Sequence, residues 1–62
     1  MSTGNIINML PIGEPPDQLL LTFKTKKGTR TYLYVGHLVV VSIMMGADPK
    51  DYNGELVDRQ EF

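Results

Sequence analysis

Hydrophobic and polar positions alternate between residues 19 and 35, and past residue 37 the alternation stops. Leu19 to Thr25 and Thr29 to Val35 are rich in aliphatic, aromatic and Thr residues, and they flank Lys26-Lys27-Gly28. Period-two patterning on both sides of a short turn predicts a β-hairpin. A three-residue loop takes a type I turn followed by a residue in the left-handed region, which Gly28 supplies without Cβ strain. This loop pairs Thr25 with Thr29, Phe23 with Thr31, Leu21 with Leu33 and Leu19 with Val35, a face that is apolar or Thr throughout. The opposite face then pairs Lys24 with Arg30, Thr22 with Tyr32 and Leu20 with Tyr34. It grades from charged at the tip to amphipathic at the base.

Residues Leu38 to Met45 read LVVVSIMM and are apolar on every side, whether drawn as a strand or as a helix. Val and Ile favour a strand. The exit, Gly46-Ala47-Asp48-Pro49, favours a helix: Gly follows the apolar run, then come a capping Asp and a Pro suited to the first turn of a next helix. The spacing therefore predicts a short helix over 37–45. A chain of 62 residues has little with which to cover both faces of such an element. Another copy of the chain is the simplest cover, which makes Leu38, Val39, Val41, Ile43, Met44 and Met45 the candidate oligomer interface.

Residues 1–17 read as an extended arm punctuated by Gly4, Pro11, Gly13, Pro15 and Pro16, and residues 18–62 as a single small domain. The arm carries Ile6, Ile7, Met9, Leu10 and Ile12, more aliphatic surface than a solvated tail carries, so it is expected to pack on its own hairpin or on a neighbouring subunit. Asp48 to Tyr52 reads as one helical turn with Asp51 as its first-turn acid, and Asn53-Gly54 breaks it. Glu55 to Phe62 reads as a short edge strand or a frayed tail, with Leu56, Val57 and Phe62 as anchors. The expected fold class is α+β: a β-hairpin (about 19–25 and 29–35) packed on a short apolar helix (about 37–45), with an extended N-terminal arm. The alternative is an all-β three-stranded meander.

Length sharpens the oligomer expectation. A domain of this size buries only about 60% of the surface its unfolded chain exposes, and such chains are usually stapled by disulfides, a metal or oligomerisation. There is no Cys and only one His, which leaves oligomerisation. No cofactor is expected. The run from Leu38 to Met45 is far shorter than the ~20 residues of a membrane-spanning helix, and the N-terminus lacks the basic and apolar regions of a secretory signal. The expectation is a soluble cytoplasmic protein with no membrane partner, of the kind that compact bacterial and phage genomes encode as a complete small reading frame.

The formal net charge is −1, so no bulk electrostatic partner is implied. The charge is uneven, however: Lys24, Lys26, Lys27 and Arg30 form a basic hairpin tip, whereas Asp48, Asp51, Glu55, Asp58 and Glu61 dominate the C-terminal segment. The tip could keep the hairpin soluble, meet the acidic segment of a neighbour, or reach nucleic-acid phosphates with Tyr32 and Tyr34 stacking on bases. Catalytic chemistry is poorly provided for. Ser42 lies inside the apolar run, and His37 sits at an element boundary with no neighbouring carboxylate in sequence. A calcium-loop alignment on Gly54 places Pro49 and Gln60 where carboxylates must coordinate, and the six Gly are scattered singly rather than grouped in a phosphate loop. The expected function is therefore a small non-enzymatic interaction or regulatory protein, an inhibitor or accessory subunit. It would act as a homo-oligomer on a protein partner through an apolar surface containing Leu20, Tyr32 and Tyr34. The alternatives are a nucleic-acid binder using the basic tip and a self-assembling structural or ligand-sequestering oligomer.

Overall fold

The computed structural model describes residues 5–61. The chain runs β1 (Asn5–Ile12), β2 (Gln18–Thr25), β3 (Gly28–Val35), α1 (His37–Met44), a single 3-10 turn (Pro49–Asp51) and β4 (Glu55–Glu61). The strands form one antiparallel sheet in the order β1-β2-β3-β4. The architecture is thus mixed α+β, one four-stranded sheet with one short helix. The apolar part of the Pro- and Gly-punctuated N-terminal segment is β1, and the acidic C-terminal segment is β4; each is an edge strand. Met1 to Gly4 and Phe62 lie outside the described residues.

The hairpin register differs by one residue from the expected pairing. Thr25 pairs with Gly28, Phe23 with Arg30, Leu21 with Tyr32 and Leu19 with Tyr34, so the loop is the two residues Lys26-Lys27. The Thr25 hydroxyl donates to the Gly28 carbonyl at 2.9 Å and accepts from the Lys27 amide at 3.3 Å, which holds this tighter closure. Gly28 does have positive φ, at 145°, but its task is different from the one its turn position implied. A Cβ there would lie 1.9 Å from the Gln60 carbonyl oxygen, so the missing side chain is what lets β4 lie against β3.

Because side chains alternate across a strand, a one-residue slip exchanges faces on one partner. Tyr32 and Tyr34 therefore share a face with Leu19, Leu21 and Phe23, and Leu33 shares the opposite face with Leu20. The first of these faces carries α1. Leu19, Leu21, Phe23, Tyr34, Val40 and Ile43 make up the buried core, with Tyr32, Val39 and Tyr52 packed against it. Phe23 and Tyr32 meet edge to face with ring centroids 5.8 Å apart, a favoured aromatic geometry.

Helix α1 spans the predicted segment. Its start follows Gly36, at φ 120°, and its last turn is closed by the Met45 amide on the Ser42 and Val41 carbonyls and the Gly46 amide on the Ile43 carbonyl. Val40 and Ile43 point into the core, whereas Leu38 and Met45, at 79% and 83% exposed, lie on the outside. The helix covers β2 and β3 but leaves β1 uncovered, so Ile6 and Met9, on the helix side of β1, remain about 40% exposed. Among the described residues no helix is long and apolar enough to cross a membrane.

Candidate functional site

Asp48 and Pro49 direct the chain that walls an aromatic cleft. The Asp48 side chain accepts from the Lys50 amide at 3.0 Å, and Pro49 opens the 3-10 turn that follows. This is ordinary N-cap chemistry, with Pro at a position that has no amide to lose. The turn returns the chain across the helix side of the sheet beyond the end of α1. Tyr52 is thereby laid toward the core, and Gly54 onto the ring of Tyr34. A Cβ on Gly54 would stand 2.6 Å from the Tyr34 ring, so Gly54 is required by close approach.

The result is an open cleft of about 370 Å³ between the sheet and this crossing segment. Phe23, Tyr32, Tyr34 and Tyr52 form its aromatic wall, Pro49, Asn53 and Gly54 its far side, and Thr25, Arg30 and Lys50 its polar rim. The Tyr34 phenol is held above the usual range for tyrosine, first by burial and then by the neighbouring Tyr32 and Asp48. It is therefore a neutral hydrogen-bonding group at physiological pH. A wider depression of about 540 Å³ lies between β1 and the end of α1, lined by Ile6, Met9, Ile43 and Met44 with residues 46–49. It marks where the helix falls short of β1, and no titratable group other than Asp48 lines it.

The structure separates residues that the sequence grouped. Tyr32 and Tyr34 are in the cleft, whereas Leu20 is on the other face of the sheet, paired with Leu33. The partner surface expected from Leu20, Tyr32 and Tyr34 is therefore two surfaces. The basic tip divides in the same way: Lys24, Lys26 and Lys27 are exposed, while Arg30 is on the cleft side. Arg30 donates to the Thr29 carbonyl at 3.0 Å and lies 3.7 Å from the Glu61 carboxylate. Arg59, opposite Arg30 in the sheet, is also 3.7 Å from Glu61. Glu61 thus bridges two like charges, and this one acidic residue of β4 meets Arg30 of the basic hairpin within one chain. Of the helix residues expected at an oligomer interface, Ile43 is buried in the core and Val39 packs against it; Leu38, Met44 and Met45 are exposed and Val41 is half-buried.

His37 and Ser42 both lie on α1, five residues apart in the chain. The His37 Nδ1–H donates to the Pro16 carbonyl at 2.7 Å and ties the start of α1 to the β1–β2 turn. Ser42 is half-buried within α1, and its carbonyl accepts from Ala47. Among the described residues no group of three His, Cys, Asp or Glu side chains is placed to hold a metal ion. Phe23, Pro49, Tyr52 and Gly54 were not singled out as site residues from the sequence; the Asp48-Pro49 cap was legible, but not the wall it would build.

Compared with known protein families, curated proteins and solved structures, the chain matches none.

Proposed function

We propose that this chain is a small non-enzymatic interaction protein, an inhibitor or accessory subunit. It works in the cytoplasm as a homo-oligomer and takes a segment of a partner protein into the tyrosine cleft. The observation that carries this reading is the cleft itself: four aromatic rings, one proline and two cationic side chains around about 370 Å³ of open space. Tyrosine supplies large, stiff contact area with a polar end, and aromatic and Arg residues dominate the binding energy of protein contacts. Arg30 and Lys50 on the rim favour a segment that places an apolar or aromatic side chain beside a carboxylate.

The test is selection from a displayed random-peptide library on the immobilised protein. Enriched peptides are expected to carry an apolar or aromatic residue next to Asp or Glu. Tyr52→Ala is expected to weaken them at least about tenfold, as for an interface anchor, and Lys26→Ala to leave them unchanged. Tyr52 is the better probe than Tyr34, which is 5% exposed and part of the core. Absence of enrichment, or equal binding by Tyr52→Ala, rejects the cleft as the partner site.

The exposed Lys24, Lys26 and Lys27 support a second reading, nucleic-acid binding at the hairpin tip. It requires a mobility shift with single- or double-stranded probes at low salt that Lys26→Ala with Lys27→Ala removes.

A further inference from the structure

The sheet has a second face, and none of the described elements lies on it. Leu20 and Leu33 sit side by side at its centre, each half-buried by strand neighbours alone. Leu10, half exposed, extends the apolar surface sideways onto β1, and Ile12 and Val35, 37% and 63% exposed, extend it toward one end. Thr22 and Thr31 continue it toward the hairpin tip, their hydroxyls 3.1 Å apart and satisfying each other. Charged side chains stand only at the margin: Lys24 near the tip, and Glu55 and Asp58 on the β4 edge. A helix covers one side of this sheet, and among the described residues nothing comparable covers the other.

We propose that a second copy of the chain covers this face, giving a two-fold dimer in which two sheets pack face to face with the helices outside. The proposal keeps the homo-oligomer reading above but moves its interface from the helix residues 38–45 to the open face of the sheet, and it is independent of what binds in the cleft.

Two observations choose this occupant. The first is area. Four strands about 4.8 Å apart and some seven residues long at ~3.3 Å per residue present roughly 440 Å². Two such faces bury about 900 Å² together, above most adventitious contacts and of the size of a weak, reversible interface.

The second is complementarity of the face with itself. Consider a two-fold axis running along the strands between β2 and β3. It lays Leu20 over the partner's Leu33 and Thr22 over the partner's Thr31, so that four leucines meet at the centre. It also lays β1 over the partner's β4. The carboxylates of Glu55 and Asp58 then face Leu10 and the Asn8 amide at the rim, and Lys24 faces a threonine. No like charges oppose one another. An axis across the strands would instead stack the acidic edge on itself and set leucines on threonines, which costs both charge repulsion and apolar contact. Packed sheets lie about 10 Å apart, rotated by roughly 30°, a geometry that leucine-sized side chains fill.

The experiment is sedimentation equilibrium of the full chain over a wide concentration range, beside four variants. Wild type is expected at twice the 7.0 kDa chain mass. Leu20→Lys and Leu33→Lys, which place a charge at the centre of the interface, are expected to weaken association at least about 100-fold while keeping the far-UV spectrum. Leu38→Lys, on the outer face of the helix, is expected to leave the dimer intact. If either leucine variant loses its fold, Thr22→Lys on the same face reads the same contact. A wild-type monomer at all concentrations overturns the proposal. So does a dimer that survives the sheet variants and is lost only in Leu38→Lys, since that places the interface on the helix. Tyr52→Ala, expected to weaken cleft binding at least about tenfold at unchanged mass, keeps failure of the partner reading distinguishable from failure of the dimer.

Discussion

Two glycines with similar backbone and different surroundings offer a sharp test of what holds β4 in place. Gly28 and Gly46 both have positive φ, 145° and 114°. An Ala at either position takes on the cost of a conformation that L-residues avoid, about 1–2 kcal/mol. At Gly46 nothing lies within 4 Å of the added Cβ, so the cost ends there. At Gly28 the Cβ would lie 1.9 Å from the Gln60 carbonyl oxygen and 2.8 Å from the Gln60 carbonyl carbon and the Glu61 Cα. All three are backbone atoms, so no side-chain rotation relieves the clash, and β4 has to move away from β3. Overpacking of this kind adds about 1–3 kcal/mol. Gly28→Ala should therefore lose roughly 2–5 kcal/mol and Gly46→Ala roughly 1–2 kcal/mol. A domain of this length holds only about 3–9 kcal/mol in total, so the difference is large on the scale of the whole fold. Urea unfolding followed by circular dichroism gives the energies. Amide hydrogen exchange gives the location: in Gly28→Ala, protection should fall along β4 and its β3 partners and persist between β1 and β2. Equal destabilisation by the two variants, or a loss of protection spread evenly over the sheet, would refute the argument that Gly28 exists to admit β4.

Two further outcomes follow from packing and charge. Leu21→Ala empties part of a fully buried site and should cost about 2–5 kcal/mol, enough to unfold much of the population, whereas Leu38→Ala, 79% exposed, should stay within about 0.5 kcal/mol; thermal melts that rank the two the other way would contradict the assignment of helix faces. The Tyr34 phenol is raised above its ordinary value in the folded chain, so its proton is held more tightly when folded; that contribution is fully present below the unfolded value of about 10 and is lost as pH rises through the folded value, so alkaline unfolding of wild type should precede that of Tyr34→Phe, and coincident profiles would dismiss Tyr34 as a contributor.

The alternation of Leu19 to Thr25 and Thr29 to Val35 was sufficient to locate the hairpin, because a half-buried strand has to repeat every two residues. The Gly46-Ala47-Asp48-Pro49 exit was sufficient to choose helix over strand for the apolar run, since both the stop of one helix and the cap of the next turn are local chemistry. Local chemistry was also enough to place the 3-10 turn at Asp48-Pro49. The hairpin register was not legible. A three-residue and a two-residue loop both fit Lys26-Lys27-Gly28, and the choice rests on β4, which arrives from more than 25 residues away and needs Gly28 bare where it crosses. The register in turn decided which face Tyr32 and Tyr34 occupy, and so separated the tyrosine cleft from the Leu20–Leu33 face. Tyr52 and Gly54 entered the cleft for the same reason: they are brought there by the return of the chain over the sheet, a long-range contact that no local pattern encodes. What the sequence determined by itself was therefore the type and place of each element that its own neighbours stabilise. Only the tertiary structure decided which faces those elements share, because that depends on strands meeting across the whole length of the chain.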